Sequence, residues 1–141
     1  MNPTKETSSL SYLNATGHIP YGMTNDYMFR LILEKNNYVL KGLICSLLSL
    51  TPEKITSVEI QNPILLNETV KDKEFILDIK VLMNDSAIIN LEMQMTYMLN
   101  WRERSLSYLC RAFDQLSHGQ LYDNVKPAIH IGFLNFNPTP D

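Results

Sequence analysis

The chain has 141 residues, with 12 Lys and Arg against 15 Asp and Glu, for a formal charge of −3. That length makes one domain with a sizeable core, and the mild acidity leaves no basic footprint for nucleic acid, so a DNA contact has to come from a local patch or from chain beyond this sequence. No window carries the eighteen or so apolar residues of a membrane span, and the first twenty residues lack the basic start and apolar stretch of a secretory signal.

Residues 1–20 are polar and rich in Ser and Thr, which predicts a flexible N-terminal arm ahead of a folded core over 21–141. From Thr24 the pattern turns helical. Met28, Leu31 and Ile32 recur at helical spacing, with Thr24 or Asn25 as N-cap and Asp26 in the first turn, where a negative charge is favourable. A second helix follows through Tyr38, Leu40, Leu43, Ile44, Leu47 and Leu48, and Thr51-Pro52 stops it. Both helices read as core. Cys45 in the second, and Cys110 further on, each sit in an apolar helical pattern and read as reduced thiols of a cytosolic protein, with no disulfide framework and no metal knuckle. Ile55 to Leu66 reads as a strand, with Pro63 near its end favouring an edge or a bulge.

The stretch from Glu74 to Tyr97 organises the rest. Phe75, Leu77, Ile79, Val81 and Met83 share one parity, as do Ile89, Leu91, Met93 and Met95 after the break at Asn84-Asp85-Ser86. The opposite parity holds Asp78, Lys80, Asn90, Glu92 and Gln94. Alternation on both sides of such a break predicts an antiparallel hairpin with one buried and one wet face. A three-residue loop pairs Met83 with Ala87 and sets Asp78 directly opposite Glu92, Cβ atoms roughly 4.5–5.5 Å apart on one face. Loops of two or four residues would send the two carboxylates to opposite faces. Opposed carboxylates repel unless a cation lies between them, and hard divalent ions take carboxylate oxygens. An ordinary solvated strand face with an incidental acidic pair fits the spacing as well.

A long helix is predicted next, from about Asn100 to His118, with a core stripe of Ser105, Tyr108, Leu109, Ala112, Phe113 and Leu116 and with Gly119 as its stop. Arg104, Arg111 and Gln115 form a more polar stripe bordering Tyr108. It reads as a solvated flank, or as a place where Arg104 pairs with a carboxylate. Pro127 to Phe136 gives a last, largely apolar strand. His118 and His130 have no metal-ligand spacing relative to each other and read as structural.

The resulting order, α-β-β-β-α-β in an α/β chain with a mixed sheet, is that of the restriction-endonuclease-like PD-(D/E)XK core. The sequence resembles the PD-(D/E)XK nuclease family transposases, also called recombination-promoting nucleases. The residues that carry the resemblance are TNDYMF from Thr24, Asn62-Pro63, K-x-x-x-L-D from Lys73 to Asp78, and L-E-M-Q from Leu91 to Gln94. They continue with E-R-x-L-x-Y from Glu103 to Tyr108 and the run HGQLYDNVKPAIHIGFLNF, so nearly everything from residue 21 onward is covered.

The resemblance implies a DNA endonuclease that hydrolyses phosphodiester bonds in recombination or transposition. It implies that Asp78 and Glu92 bind Mg²⁺ or Mn²⁺, and that Gln94 occupies the position where most of these nucleases have lysine. A glutamine can orient water but supplies no charge to a developing anion. Lys80, on the Asp78 face of the same strand, is the expected substitute, with Lys73 a weaker one. Arg104 is expected to meet a DNA phosphate, and Asp26 and Tyr108 are accessory positions. The expected setting is the cytoplasm, with DNA as partner, no membrane, and a homodimer as one arrangement. Family members are commonly longer, so the chain is expected to be an N-terminal piece. A catalytically silent nuclease fold that binds DNA or a protein is the alternative, favoured by Gln94 and the acidic balance.

Overall fold

Asn25 starts the first helix: its side chain accepts from the Met28 amide at 3.0 Å, satisfying one of the donors that a helix N-terminus leaves open. Helix α1 then runs Asp26–Lys35 and α2 runs Asn37–Leu48, with Asn36 ending one and capping the next. In the computed structural model, which describes residues 16–18, 22–62 and 78–139, these are followed by β1 (Val58–Ile60), β2 (Ile79–Met83), β3 (Ala87–Gln94), α3 (Trp101–Phe113) and β4 (Ala128–Leu134). Among the described residues the strands make one mixed sheet in the order β1-β2-β3-β4. The expected α/β class and element order therefore hold, with two helices where the bare core order needs one. Residues 63–77, including the end of the predicted Ile55–Leu66 strand with Pro63, the start of the hairpin and Lys73, lie outside the described residues, as does nearly all of the 1–20 arm, and of the described part of that predicted strand only Val58–Ile60 is strand.

The hairpin register is as the turn composition predicts. Met83 pairs with Ala87, and the ladder runs back to Ile79 opposite Leu91. Asn84 and Asp85 both take positive φ, 52° and 50°, a conformation that Asn and Asp tolerate better than most residues. The Asn84 side chain then fastens the turn to the chain before β1: its Oδ1 accepts from the Thr56 and Ser57 amides at 2.7 and 3.2 Å, and its Nδ2 donates to the Lys54 carbonyl at 2.8 Å.

One face of the sheet builds the core. Ile79, Val81, Ile89, Leu91 and Met93 pack with Phe29 and Leu33 of α1, Leu40 and Ile44 of α2, and Ile55 and Val58, while Phe133 of β4 meets Phe29 edge-on at 5.1 Å. The opposite face is not wet, which corrects the hairpin reading. Seven of the eight residues of β3, Asn90 and Glu92 included, are buried. The reason lies forty residues downstream. Strand β4 pairs with β3 in parallel, so the connection must cross over the sheet, and α3 is that crossover, laid against β3 and β4. An antiparallel neighbour would have needed no helix there.

Helix α3 is also shorter than predicted and faces inward differently. It ends at Phe113, with Asp114 as C-cap. Gln115 takes over where Gly119 was expected to act, its side chain donating to the Ala112 and Lys126 carbonyls at 2.6 and 3.2 Å. Trp101 and Ala112 are the buried positions, whereas Phe113 is 55% exposed. Cys110 also faces outward and is no core thiol, because the inward stripe of α3 passes through Trp101, Arg104, Tyr108 and Ala112. Tyr38 of α2 is likewise exposed rather than core. No helix among the described residues is long and apolar enough to cross a membrane.

Candidate active site

The site is assembled where β2 enters the sheet. The ladder ends at Ile79 opposite Leu91, so one more step sets Asp78 opposite Glu92, with Cβ atoms roughly 5 Å apart. Two long-range groups fix the Asp78 backbone. Arg30, buried on α1, donates through Nη1 to the Asp78 carbonyl at 2.6 Å and through Nη2 to the Asn62 carbonyl, while its Nε pairs with Glu34 at 2.8 Å. Asn62 adds a second donor to the same Asp78 carbonyl at 2.9 Å, and its Oδ1 accepts from the Lys80 amide at 2.8 Å. This side chain thus stands in for a strand neighbour on either side of Ile79 and holds the backbone where Asp78 enters β2. Arg30 went unnoticed in the sequence; its signal was a charge standing between Phe29 and Leu33 on the inward stripe of α1.

Glu92 lies in the middle of the sheet and is 4% exposed. Its Oε1 accepts twice from α3, from Arg104 Nε at 3.0 Å and Nη2 at 2.8 Å. Arg104 Nη2 also donates to the Tyr108 hydroxyl at 2.9 Å, and the guanidinium lies over the Tyr108 ring at 4.8 Å from its centroid. Burial works against the charge on Arg104, but the hydrogen bond to Glu92 and the charges of Glu92, Tyr108 and Asp78 outweigh it and raise its pKa above the ordinary value. Burial raises the Tyr108 pKa, helped by Glu92 and Asp78 and opposed by Arg104 and Arg111. Arg104 and Tyr108 therefore stand over Glu92, and Arg104 is no solvated flank.

His130, read from the sequence as structural, also stands beside Glu92. It sits on β4 beside Asn90 in the parallel register, stacks on Tyr108 with ring centroids 5.7 Å apart, and brings Nε2 to 3.7 Å from Glu92 Oε2. Gly132, the register partner of Glu92, makes room for the helix above: a Cβ there would stand 2.3 Å from Trp101 Cζ2. In the sequence, one histidine and one glycine in an otherwise apolar strand were the only marks of this floor.

The remaining expected residues are placed less centrally. Gln94 shares the Glu92 face of β3 and is half-buried, and its Nε2 donates to the Thr96 carbonyl at 2.9 Å. Lys80 shares the Asp78 face of β2, half-buried, and no described residue accepts from its ammonium. Asp26 lies one turn before Arg30 on α1, half-buried, with no recorded contact to the acid pair. His118 is exposed in the loop after α3.

The pair fits a cation in one specific respect. Among the described residues, the buried side-chain atoms without a hydrogen-bond partner are Asp78 Oδ1, Glu92 Oε2 and His130 Nε2. An unpaired buried polar atom costs about 1–3 kcal/mol, and two such oxygens on facing carboxylates have the chemistry that a hard divalent ion satisfies. Among the described residues no group of three or more His, Cys, Asp or Glu is disposed to hold a metal. Two carboxylates with water and a phosphate completing the shell is the usual arrangement for Mg²⁺.

Compared with known families, residues 23–141 match the model of the PD-(D/E)XK nuclease family transposase. No curated protein and no solved structure matches the chain.

Proposed function

The chain belongs to the PD-(D/E)XK nuclease family transposases, whose role is nuclease- and transposition-related, and from that premise we propose that it is a divalent-metal-dependent DNA endonuclease acting in recombination or transposition. The observation that carries this reading is the pair of buried carboxylate oxygens without a partner among the described residues, Asp78 Oδ1 just before β2 and Glu92 Oε2 on β3.

Asp78 and Glu92 would hold Mg²⁺ or Mn²⁺, which when bound polarises a phosphate and lowers the pKa of a bound water. Arg104 spends Nε and Nη2 on Glu92 and Tyr108, and its side chain is 35% exposed. Its Nη1, unpartnered among the described residues, is the donor left for a phosphate oxygen. Gln94 orients the attacking water through its side-chain amide, and Lys80 brings positive charge from the Asp78 face. The water oxygen bonds to phosphorus as one phosphorus–oxygen ester bond breaks.

A second reading, a silent nuclease fold that binds DNA or a protein, is favoured by one observation: Gln94 carries no charge and its amide is tied to the Thr96 carbonyl. Titration with Mn²⁺ by calorimetry, together with nicking of supercoiled plasmid with and without Mg²⁺, decides between them. The nuclease reading expects Mn²⁺ binding and Mg²⁺-dependent nicking. DNA binding with neither establishes the silent fold.

A further inference from the structure

The contact between Asn90 and His130 lies behind the acid pair and has no part in the chemistry above. His130 Nδ1 is 3.1 Å from Asn90 Nδ2. An amide NH₂ only donates, so Nδ1 accepts, and the single proton of a neutral imidazole then sits on Nε2. The His130 side chain is 3% exposed, clamped between the Tyr108 ring and Trp101, whose centroid is 6.1 Å away. The protonated nitrogen lies 3.7 Å from Glu92 Oε2. Among the described residues neither atom has a hydrogen-bond partner.

We propose that His130 is a positioning residue for Glu92, its Nε2–H aimed by Asn90 at the carboxylate oxygen that Arg104 leaves bare. The inference rests on the metal-site reading of Asp78 and Glu92. Each carboxylate oxygen has two lone-pair sites, so Oε2 can accept from His130 and still face a cation. A shift of several tenths of an ångström brings the contact within hydrogen-bond length. With Arg104 on Oε1 and His130 on Oε2, the carboxylate is held in one orientation before the ion arrives. Hydrogen-bond partners of metal-binding carboxylates typically change metal affinity by about 10–100-fold when removed.

The test compares Mn²⁺ affinity by calorimetry for the wild type, His130→Phe, His130→Gln and Asn90→Leu, with thermal unfolding as a check on folding. His130→Phe keeps an aromatic ring beside Tyr108 but has no N–H, and about 10–100-fold weaker binding is expected. His130→Gln retains an N–H donor and should recover part of that loss, which a purely structural role does not predict. Asn90→Leu frees the tautomer without touching His130 and should weaken binding by a smaller factor, so the proposal remains testable even if His130→Phe fails to fold. Pulsed electron paramagnetic resonance of the Mn²⁺-loaded wild type should show no directly bound nitrogen. A bound-nitrogen signal, or wild-type affinity in the folded variants, overturns the inference alone. Absence of Mn²⁺ binding by the wild type overturns the metal-site reading and this inference together.

Discussion

Arg104 donates twice to one oxygen of Glu92 and not at all to the other. The ion pair is thus half of an arrangement: it compensates much of the Glu92 charge inside the sheet, yet leaves Oε2 with His130 Nε2 3.7 Å away. A buried carboxylate with one oxygen unmet is an uneconomical way to stabilise a fold, and it is sensible if that oxygen has a ligand to meet.

Asp78→Asn and Glu92→Gln should each abolish Mg²⁺-dependent nicking of plasmid DNA. Both keep the shape of the side chain. Glu92→Ala is a poorer choice, because it leaves Arg104 without its partner in a partly buried position and should cost about 1–3 kcal/mol of stability. Nicking by Glu92→Gln at the wild-type rate, with folding confirmed by circular dichroism, would remove Glu92 from the chemistry.

Gln94→Lys restores the charge that most of these nucleases carry at this position. If the uncharged amide limits an active enzyme, the variant should nick faster, read as the initial rate of relaxed-circle formation. A rate at or below that of the wild type would show that Lys80 already supplies the charge, or that none is needed.

Arg104→Ala should weaken binding to DNA of any sequence alike and lower the slope of log affinity against log salt by about 1, because a phosphate contact carries no base information. Fluorescence anisotropy over a salt series measures this. An unchanged slope confines Arg104 to holding Glu92.

Gly132→Ala should destabilise the fold by about 1–3 kcal/mol, the usual cost of overpacking, since the new methyl group would stand 2.3 Å from the Trp101 ring. Chemical denaturation gives the stability, and Trp101, the single tryptophan of the chain, reports the displacement by fluorescence. Wild-type stability with an unshifted emission maximum would mean that Trp101 is not held against Gly132 in solution.

The hairpin was legible because a strict alternation and an Asn-Asp-Ser break specify register locally, and register alone placed Asp78 opposite Glu92. What covers that face was not legible. Nothing in AIINLEMQ indicates whether its next neighbour runs parallel or antiparallel, so Asn90 and Glu92 looked like solvent-facing residues until α3 was seen across them. The place of His130 was hidden for a similar reason. Its partners are distant in sequence: Asn90 across the parallel register, Glu92 beside it, and Tyr108 from the helix above. Ligand spacing along one segment cannot reveal a residue that acts through such neighbours.

The parallel pairing of β3 with β4 also sets an order of assembly. The β2–β3 hairpin closes through a turn of three residues, an event of microseconds. His130 reaches Asn90 only when a segment forty positions along has come back over the sheet, and closing the longer loop is entropically more expensive and slower. During folding, Asp78 and Glu92 would therefore stand side by side in water before Arg104, Tyr108 and His130 close over them. Cations in the medium would have open access to the pair at that stage, whereas in the finished chain Glu92 is 4% exposed. Refolding in the presence of Mn²⁺, compared with adding it afterwards, would expose this difference as a difference in loading rate.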